Sequence, residues 1–510
     1  MEFQLSPLPL LFTFLLFLFM VKKIGWRNKT QSSVPKLPPG PWKLPIIGNI
    51  HQLIGPLPHH TLRDLAKIHG PLMHLRLGEV STIVVSSPRF AKEVMKTHDL
   101  NFSDRPQLQS PKILAYGCID IAFSPYGNYW RQLRKICTIE LLSAKQVESF
   151  RHIREEEVLN TIRSISSAAN SPVNLTEKLF ALTTNVIAKA TLGKICKDQE
   201  KFLSAVKQAI KLTGGFNVAD LFPSLELVSV ISGMKYKLEQ LHHKIDVILD
   251  EIIKEHQQTR PAKETDVSGV EEEEDFIDVL LRIQQHGDLD FPMTRDTIKA
   301  IILDLFGGGT DTTSTLMDWV MAELMRNPRV MEKVQGEVRM AFREKGKVDE
   351  RDIGDLTYLK SVVKETLRLH PPVPLLIPRE CREKCEITGY EILPKTRVIV
   401  NAWAIARDPE HWDDPETFNP ERFDGSQTDF KGTNFEFIPF GAGRRVCPGI
   451  SFGVTSALHS LAQLLYYFNW KLPIGMKPED IDMIEAFGAT VGRRSKLCLV
   501  PIPCIPLPVA

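Results

Sequence analysis

The chain has 510 residues, 43% of them apolar and 25% charged, with a formal net charge of +1. This is the composition of an ordinary folded protein, and a charge so close to zero gives no electrostatic reason to expect nucleic acid or another polyanion as a partner. The length would suit two or three domains, but no stretch reads as an exposed interdomain linker, so one large unit is expected.

From Leu5 to Val21 the chain carries no charge, and as a helix this run would span about 26 Å, enough to cross a thin bilayer once. Lys22, Lys23, Arg27 and Lys29 follow the apolar run, and no small-x-small cleavage site is evident. A retained membrane anchor over 1–24 is therefore expected rather than a cleaved signal peptide, with the body facing the cytosol by the positive-inside rule. A basic, proline-rich hinge over 25–50 follows, where Pro35, Pro38, Pro39 and Pro41 forbid helix and impose a stiff connector. The rest, 51–510, is read as the catalytic domain.

Leu72 to Ser86 alternates as two short strands joined at Gly78, and the segments after Arg89 are mostly helical in period. The fold class is accordingly mainly α with a small β domain. The acidic run between Thr259 and Asp275 reads as a solvated loop. Between Thr294 and Asn327 the apolar spacing is that of a long helix closed by Pro328, yet its middle reads DLFGGGTDTTST. Each of three consecutive glycines costs about 1 kcal/mol relative to alanine in a helix interior. Two readings compete. One is a kinked core helix whose glycines permit close packing. The other is a groove in which Thr312, four residues after Gly308, bonds a carbonyl of the preceding turn and leaves polar groups facing a small ligand. Asp311 sets a titratable carboxyl beside that hydroxyl, a combination suited to proton delivery into a buried site.

Glu365 and Arg368 of KETLR share one helix face and can pair bidentately, and NPERF supplies Arg422 and Phe423. Exposed, such a pair would stabilise little; buried and fully hydrogen-bonded, a Glu/Arg/Arg cluster would be a structural lock. The eight cysteines lack regular spacing, as in a reduced, cytosol-facing protein. The close pair Cys381 and Cys385, in CREKC, could open a metal site, but no second Cys/His pair stands at matching spacing, which argues against zinc.

FGAGRRVCPGI places Cys447 in a glycine- and arginine-rich loop just ahead of an apolar-periodic helix. Free N–H groups and the positive end of the helix dipole would favour a thiolate there. A packed core cysteine needs no such surroundings, and a nucleophile needs a base that the neighbourhood lacks. A single thiolate without companion cysteines suits a haem axial ligand better than zinc or an iron–sulfur cluster, although residue chemistry alone leaves the three readings open.

In this relative order, behind an anchor and a proline hinge, WRQLR, GGGTDTT, KETLR, PERF and FGAGRRVCPG resemble the microsomal cytochrome P450 family, specifically its plant members of specialised metabolism. The resemblance covers essentially the whole chain. It implies the P450 fold with a single N-terminal transmembrane helix, and haem b (iron protoporphyrin IX) ligated by Cys447, with Phe440 beside the sulfur. Trp130, Arg134, Arg379 and Arg445 would hold the haem propionates, with Arg105 a further candidate. Asp311 and Thr312 would be the oxygen-activating pair, and Glu365, Arg368 and Arg422 the lock. The chain departs from the family in carrying Gly308 where alanine is usual.

The implied activity is insertion of one oxygen atom from O2 into a lipophilic plant metabolite, with hydroxylation of a terpenoid as the first expectation. Oxidation of an alkaloid or a lignan/phenylpropanoid (hydroxylation, O-demethylation or ring formation) is the alternative. A reductase-independent isomerase or dehydratase and a non-enzymatic haem-binding protein are disfavoured by the intact Asp311 and Thr312. The implied partners are NADPH-cytochrome P450 reductase, docking near Arg131 and Lys135, and cytochrome b5. The implied location is the endoplasmic reticulum membrane, single-pass, with a cytosolic catalytic domain. The substrate pocket is expected from residues 107–123, the region of Phe216, Leu305, a strand from Val373 to Ile377, and the turn at Ala486 to Ala489.

Overall fold

The computed structural model describes residues 35–193, 199–213, 217–225, 233–259, 274–286 and 291–507. The expected anchor, Phe216 and most of the acidic run lie outside them. Among the described residues no helix is long and apolar enough to cross a membrane.

The helices that build the site are, in chain order, Pro58–His69 (α1), Asn128–Ile136 (α2), Arg151–Ser166 (α3), Leu175–Leu192 (α4), Arg295–Gly309 (α5), Asp311–Arg326 (α6), Thr357–Leu369 (α7) and Ile450–Tyr467 (α8). Their ends follow local chemistry. Pro58 opens α1, and the Thr294 side chain caps α5 by accepting from the Thr297 amide. Thr313 to Met325 of α6 and Ser456 to Tyr467 of α8 are buried without a break, because these helices are enclosed by others and have no solvent face. α6 packs against α4, α7 and α8.

The strands are Leu72–Leu77 (β1), Val80–Val85 (β2), Arg379–Glu380 (β3), Cys385–Ile387 (β4), Tyr390–Ile392 (β5), Arg397–Val400 (β6), Glu485–Ala486 (β7) and Gly492–Arg493 (β8). Four of them form a sheet in the order β1-β2-β6-β3. β1 and β2 are antiparallel, with Leu72 opposite Val85, and β2 and β6 are parallel, with Val84 opposite Ile399. Gly78 makes the expected turn at φ +61°, and a Cβ there would lie 2.4 Å from the Leu221 carbonyl. Alternation sends Met73, Leu75, Leu77, Val84 and Ile399 into one apolar cluster, and Leu72, Ile83, Val85, Val398 and Val400 into another on the opposite face.

Two sequence expectations change. Val373 to Ile377 is a bent segment, not a strand: Pro374 has no N–H to give a ladder, and Leu376 sits at φ +52°. The long helix expected from Thr294 to Asn327 is divided at Thr310 into α5 and α6. The described part of the proline-rich hinge is docked on the sheets. Pro39 O accepts from His74 N at 2.8 Å, and Lys36 O accepts from Glu391 N at 2.8 Å.

Candidate active site

Cys447 lies three residues before α8, in the loop the sequence indicates. Gly441 and Gly443 turn that loop at φ +72° and +68°, and a Cβ at Gly443 would meet the Met95 carbonyl at 2.2 Å. The Cys447 amide donates to Phe440 O at 3.0 Å, and the Phe440 ring packs edge-on against Phe430. Burial pushes the Cys447 thiol up, against the Gly449 amide and the positive charge of Arg134, which pull it down. The Gly449 amide and Arg134 favour the thiolate as the sequence leads one to expect, and burial opposes it.

Four guanidinium groups converge beside this loop. Arg134 Nη2 donates to Val446 O at 2.5 Å, tying α2 to the residue preceding the cysteine. Arg445 stacks on the Trp130 ring at 4.1 Å and donates to the carbonyls of Ser103, Ile121 and Ser124. Arg105 donates to the carbonyls of Ala122, Ile377 and Pro378. Arg379 pairs with Asp99 at 2.8 Å and donates to Ala442 O at 2.6 Å. Desolvation and then mutual repulsion with Arg379 push Arg445 down to about 9, and Arg105 is pushed down by burial and by Arg445. The cluster carries more positive charge than its carboxylates neutralise, which is the electrostatic signature of a site for an anion.

On the other wall, Thr312 Oγ1 donates to Gly308 O at 2.5 Å, the back-bond that the spacing implies. A Cβ built on Gly307 or Gly308 meets no atom within 4 Å. Of the two readings of the glycine run, the groove is the one these positions support. Gly309 is the packing glycine, since its Cβ would press on Ile187 Cδ1 of α4 at 2.6 Å. The Asp311 carboxylate accepts a hydrogen bond from Thr490, in the turn between β7 and β8. Gly453 of α8 stands against Thr313, where a Cβ would be 3.4 Å from Oγ1, so α6 crosses α8 close to the cysteine loop.

A sequence profile described as Cytochrome P450 matches residues 38–497. The chain belongs to the cytochrome P450 family. It is 53% identical over 503 residues to premnaspirodiene oxygenase of Hyoscyamus muticus, covering 99% of each protein. It is 54% identical over 502 residues to desmethyl-deoxy-podophyllotoxin synthase of Sinopodophyllum hexandrum, covering 98% of this chain and 97% of that one. A zebra fish cytochrome P450 solved with progesterone superposes with a TM-score of 0.75 at 26% identity, covering 88% of this chain and 100% of that one.

The P450 is thus a haem-dependent monooxygenase, and the residues present suit that prosthetic group. Among the described residues no metal-ligating cluster includes Cys447, which suits a single iron–thiolate bond; the surplus guanidinium charge suits two propionates, and a Cβ at Gly307 or Gly308 would meet nothing, so α5 has an uncrowded face there. The structure brings Trp130, Arg134, Arg445 and Cys447 together around one loop, whereas Arg379 has its donors on Asp99 and Ala442.

Sequence reasoning missed three carboxylates of this P450. Asp99 accepts from the Arg444 amide at 2.9 Å and from Arg379, fastening the cysteine loop to the segment 99–105. Asp304 of α5 accepts from the Ile121 amide at 2.7 Å, holding the strip whose carbonyls receive Arg445, Trp130 and Arg105. Asp304 also faces Asp120; burial and then their mutual repulsion raise Asp304, and burial raises Asp120 to about 6. No local motif marks any of the three.

Proposed function

We propose that this P450 hydroxylates a terpenoid hydrocarbon and that Cys447 would hold the haem iron through its thiolate. The observation that carries the reading is the 53% identity, over 99% of both chains, to an oxygenase named for premnaspirodiene. Trp130, Arg134 and Arg445 would hold one propionate edge of the haem, with Arg105 and Arg379 placing further positive charge behind them. When bound, the haem supplies the redox-active iron at which dioxygen is activated, with thiolate donation favouring O–O cleavage. Thr312 gives its own proton to Gly308 O, which leaves the lone pairs of Oγ1 to accept from water in the groove and fix its position. Asp311, held by Thr490, carries protons from outside to that water. Apolar residues near Leu305, Leu376 and Phe487 orient the substrate.

The anchor over 1–24 would keep the 51–510 domain on the cytosolic face of the endoplasmic reticulum, where lipophilic substrates partition. Arg131 and Lys135 of α2 are both exposed, and with Arg444, also exposed, form a basic surface behind Cys447 for an acidic NADPH-cytochrome P450 reductase. A second reading is favoured by the 54% identity to a protein named desmethyl-deoxy-podophyllotoxin synthase: oxidation of a lignan. The test is NADPH-dependent turnover with reductase on panels of sesquiterpene hydrocarbons and lignans. Terpenoid hydroxylation is expected; conversion of lignans alone would overturn the first reading in favour of the second.

A further inference from the structure

Arg397 is a buried charge that the oxidation site leaves unused. It opens β6 and is 8% exposed. Among the described residues its guanidinium makes one hydrogen bond, from Nη2 to Asp220 O at 3.1 Å, and forms no ion pair, while Nε is buried without a partner. The other buried arginines are provided for. Arg154, Arg368, Arg379 and Arg407 each meet a carboxylate within 3.1 Å, and Arg105 and Arg445 each donate to three carbonyls. Burying a cation without a counter-charge is costly, so an arginine kept in this state points to a partner that arrives from outside.

The surroundings define that partner. β2 and β6 run parallel with Thr82 opposite Arg397, so the two side chains rise from one face of the sheet, on neighbouring strands about 4.8 Å apart. The Thr82 hydroxyl is also fully buried and without a partner. Two residues farther along each strand, Val84 and Ile399 share that face and pack with Leu77 and Leu221. Two unused donors, one of them charged, thus stand side by side in an apolar wall.

The nearby carboxylates are engaged elsewhere. Glu380 is opposite Arg397 on β3, but accepts from Lys395 at 2.7 Å. Asp220, in the short helix Val218–Leu221, gives Oδ1 to the Gln109 amide at 2.7 Å and receives Arg397 at its carbonyl. Both carboxylates attract the guanidinium from beyond ion-pair distance, and burial lowers Arg397 more than they raise it.

We propose that Arg397 and Thr82 form a binding site for the carboxylate of a lipophilic acid. Arg397 Nε–H and the Thr82 hydroxyl donate to the carboxylate, and the apolar face of β2 and β6 takes up the adjoining hydrocarbon. One guanidinium balances one negative charge, which favours a carboxylate over the double charge of a phosphate.

The test titrates full-length, haem-loaded protein with lauric acid and with 1-dodecanol in the same detergent at pH 8, by calorimetry. The two probes carry the same hydrocarbon chain and differ in the charged end. The parent should bind the acid about ten-fold more tightly than the alcohol. Arg397→Gln should abolish that preference, Arg397→Lys should keep part of it, and Thr82→Val should cut it about three-fold. Equal affinity for both probes in the parent, or an undiminished preference in Arg397→Gln, would overturn the proposal. Thermal melting without either probe gives a second arm. A buried guanidinium without a counter-charge adds no net stability to the ligand-free protein, so Arg397→Gln should melt at or above the parent. A midpoint lower by more than about 5 °C would assign Arg397 to holding the fold and overturn the proposal as well. All of these results are read without turnover, so they are separable from failure of the functional reading.

Discussion

Replacing Glu365 with alanine should remove most of the margin that keeps this protein folded. Glu365 and Arg368 are both fully buried, and the carboxylate accepts Arg368 Nε and Nη2, each at 2.8 Å, the Asn419 amide at 2.8 Å and Arg422 Nε at 3.0 Å. Arg368 places its remaining N–H groups on Ala406 O, Pro415 O and Thr417 O, so none is left to water. Its plane also lies over Trp412 at 5.2 Å. Truncation would leave a buried guanidinium without a counter-charge, and breaking a buried pair in this way costs about 3–5 kcal/mol. The orphaned Asn419 amide adds about 1 kcal/mol or more. Against a total stability of about 5–15 kcal/mol, Glu365→Ala should populate unfolded, haem-free chain. Glu365→Gln keeps an acceptor oxygen but loses the charge, and should fall between the two. Urea unfolding of the haem-loaded protein, followed by the Soret band and tryptophan fluorescence, measures both. A Glu365→Ala protein within about 1 kcal/mol of the parent would refute the claim that this cluster is a lock.

Thr312→Ala should keep NADPH and oxygen consumption while cutting product formed per NADPH by about ten-fold, the balance appearing as peroxide; product and peroxide assayed together check it. His74 sets an acid limb. It is buried, with Lys43 facing Nδ1 at 3.5 Å and Ser81 facing Nε2 at 2.9 Å, and desolvation, then Lys43 and Arg76, push it down to about 4. Above the ordinary imidazole value near 6.5 both folded and unfolded states are neutral; below it only the unfolded chain binds the proton, so stability is lost by up to about 1.4 kcal/mol per pH unit until pH approaches 4. His74→Gln should flatten that limb between pH 7 and pH 5 in denaturant titrations. Gly308→Ala should be accommodated and raise stability by about 0.5–1 kcal/mol, while Gly443→Ala, at positive φ and against Met95 O, should lower haem content; thermal melts and the ratio of haem to protein absorbance separate the two.

What the sequence disclosed was mostly what lies within one helical turn. The Thr312–Gly308 bond and the Glu365–Arg368 pair follow from i,i+4 and i,i+3 geometry, and the Gly78 hairpin from alternation around a glycine. Arg422 reaches Glu365 across 57 residues, and only the resemblance to a family linked them. Asp304 and the Ile121 amide are 183 residues apart, and neither stretch carries a motif, so nothing short of the fold could pair them. The surroundings of Cys447 were legible only in part: the helix terminus and glycines are where the sequence puts them, but local pattern gives no measure of the burial that opposes ionisation at that sulfur.

The ligation of haem iron by Cys447 is tested most directly by the carbon-monoxide difference spectrum of the reduced protein, taken for the parent and for Cys447→Ser. The parent should show the strongly red-shifted Soret band of a thiolate-ligated ferrous haem, and the serine variant should lose that band together with substrate turnover. A serine variant that keeps the parent's band and its turnover would contradict the account at its root.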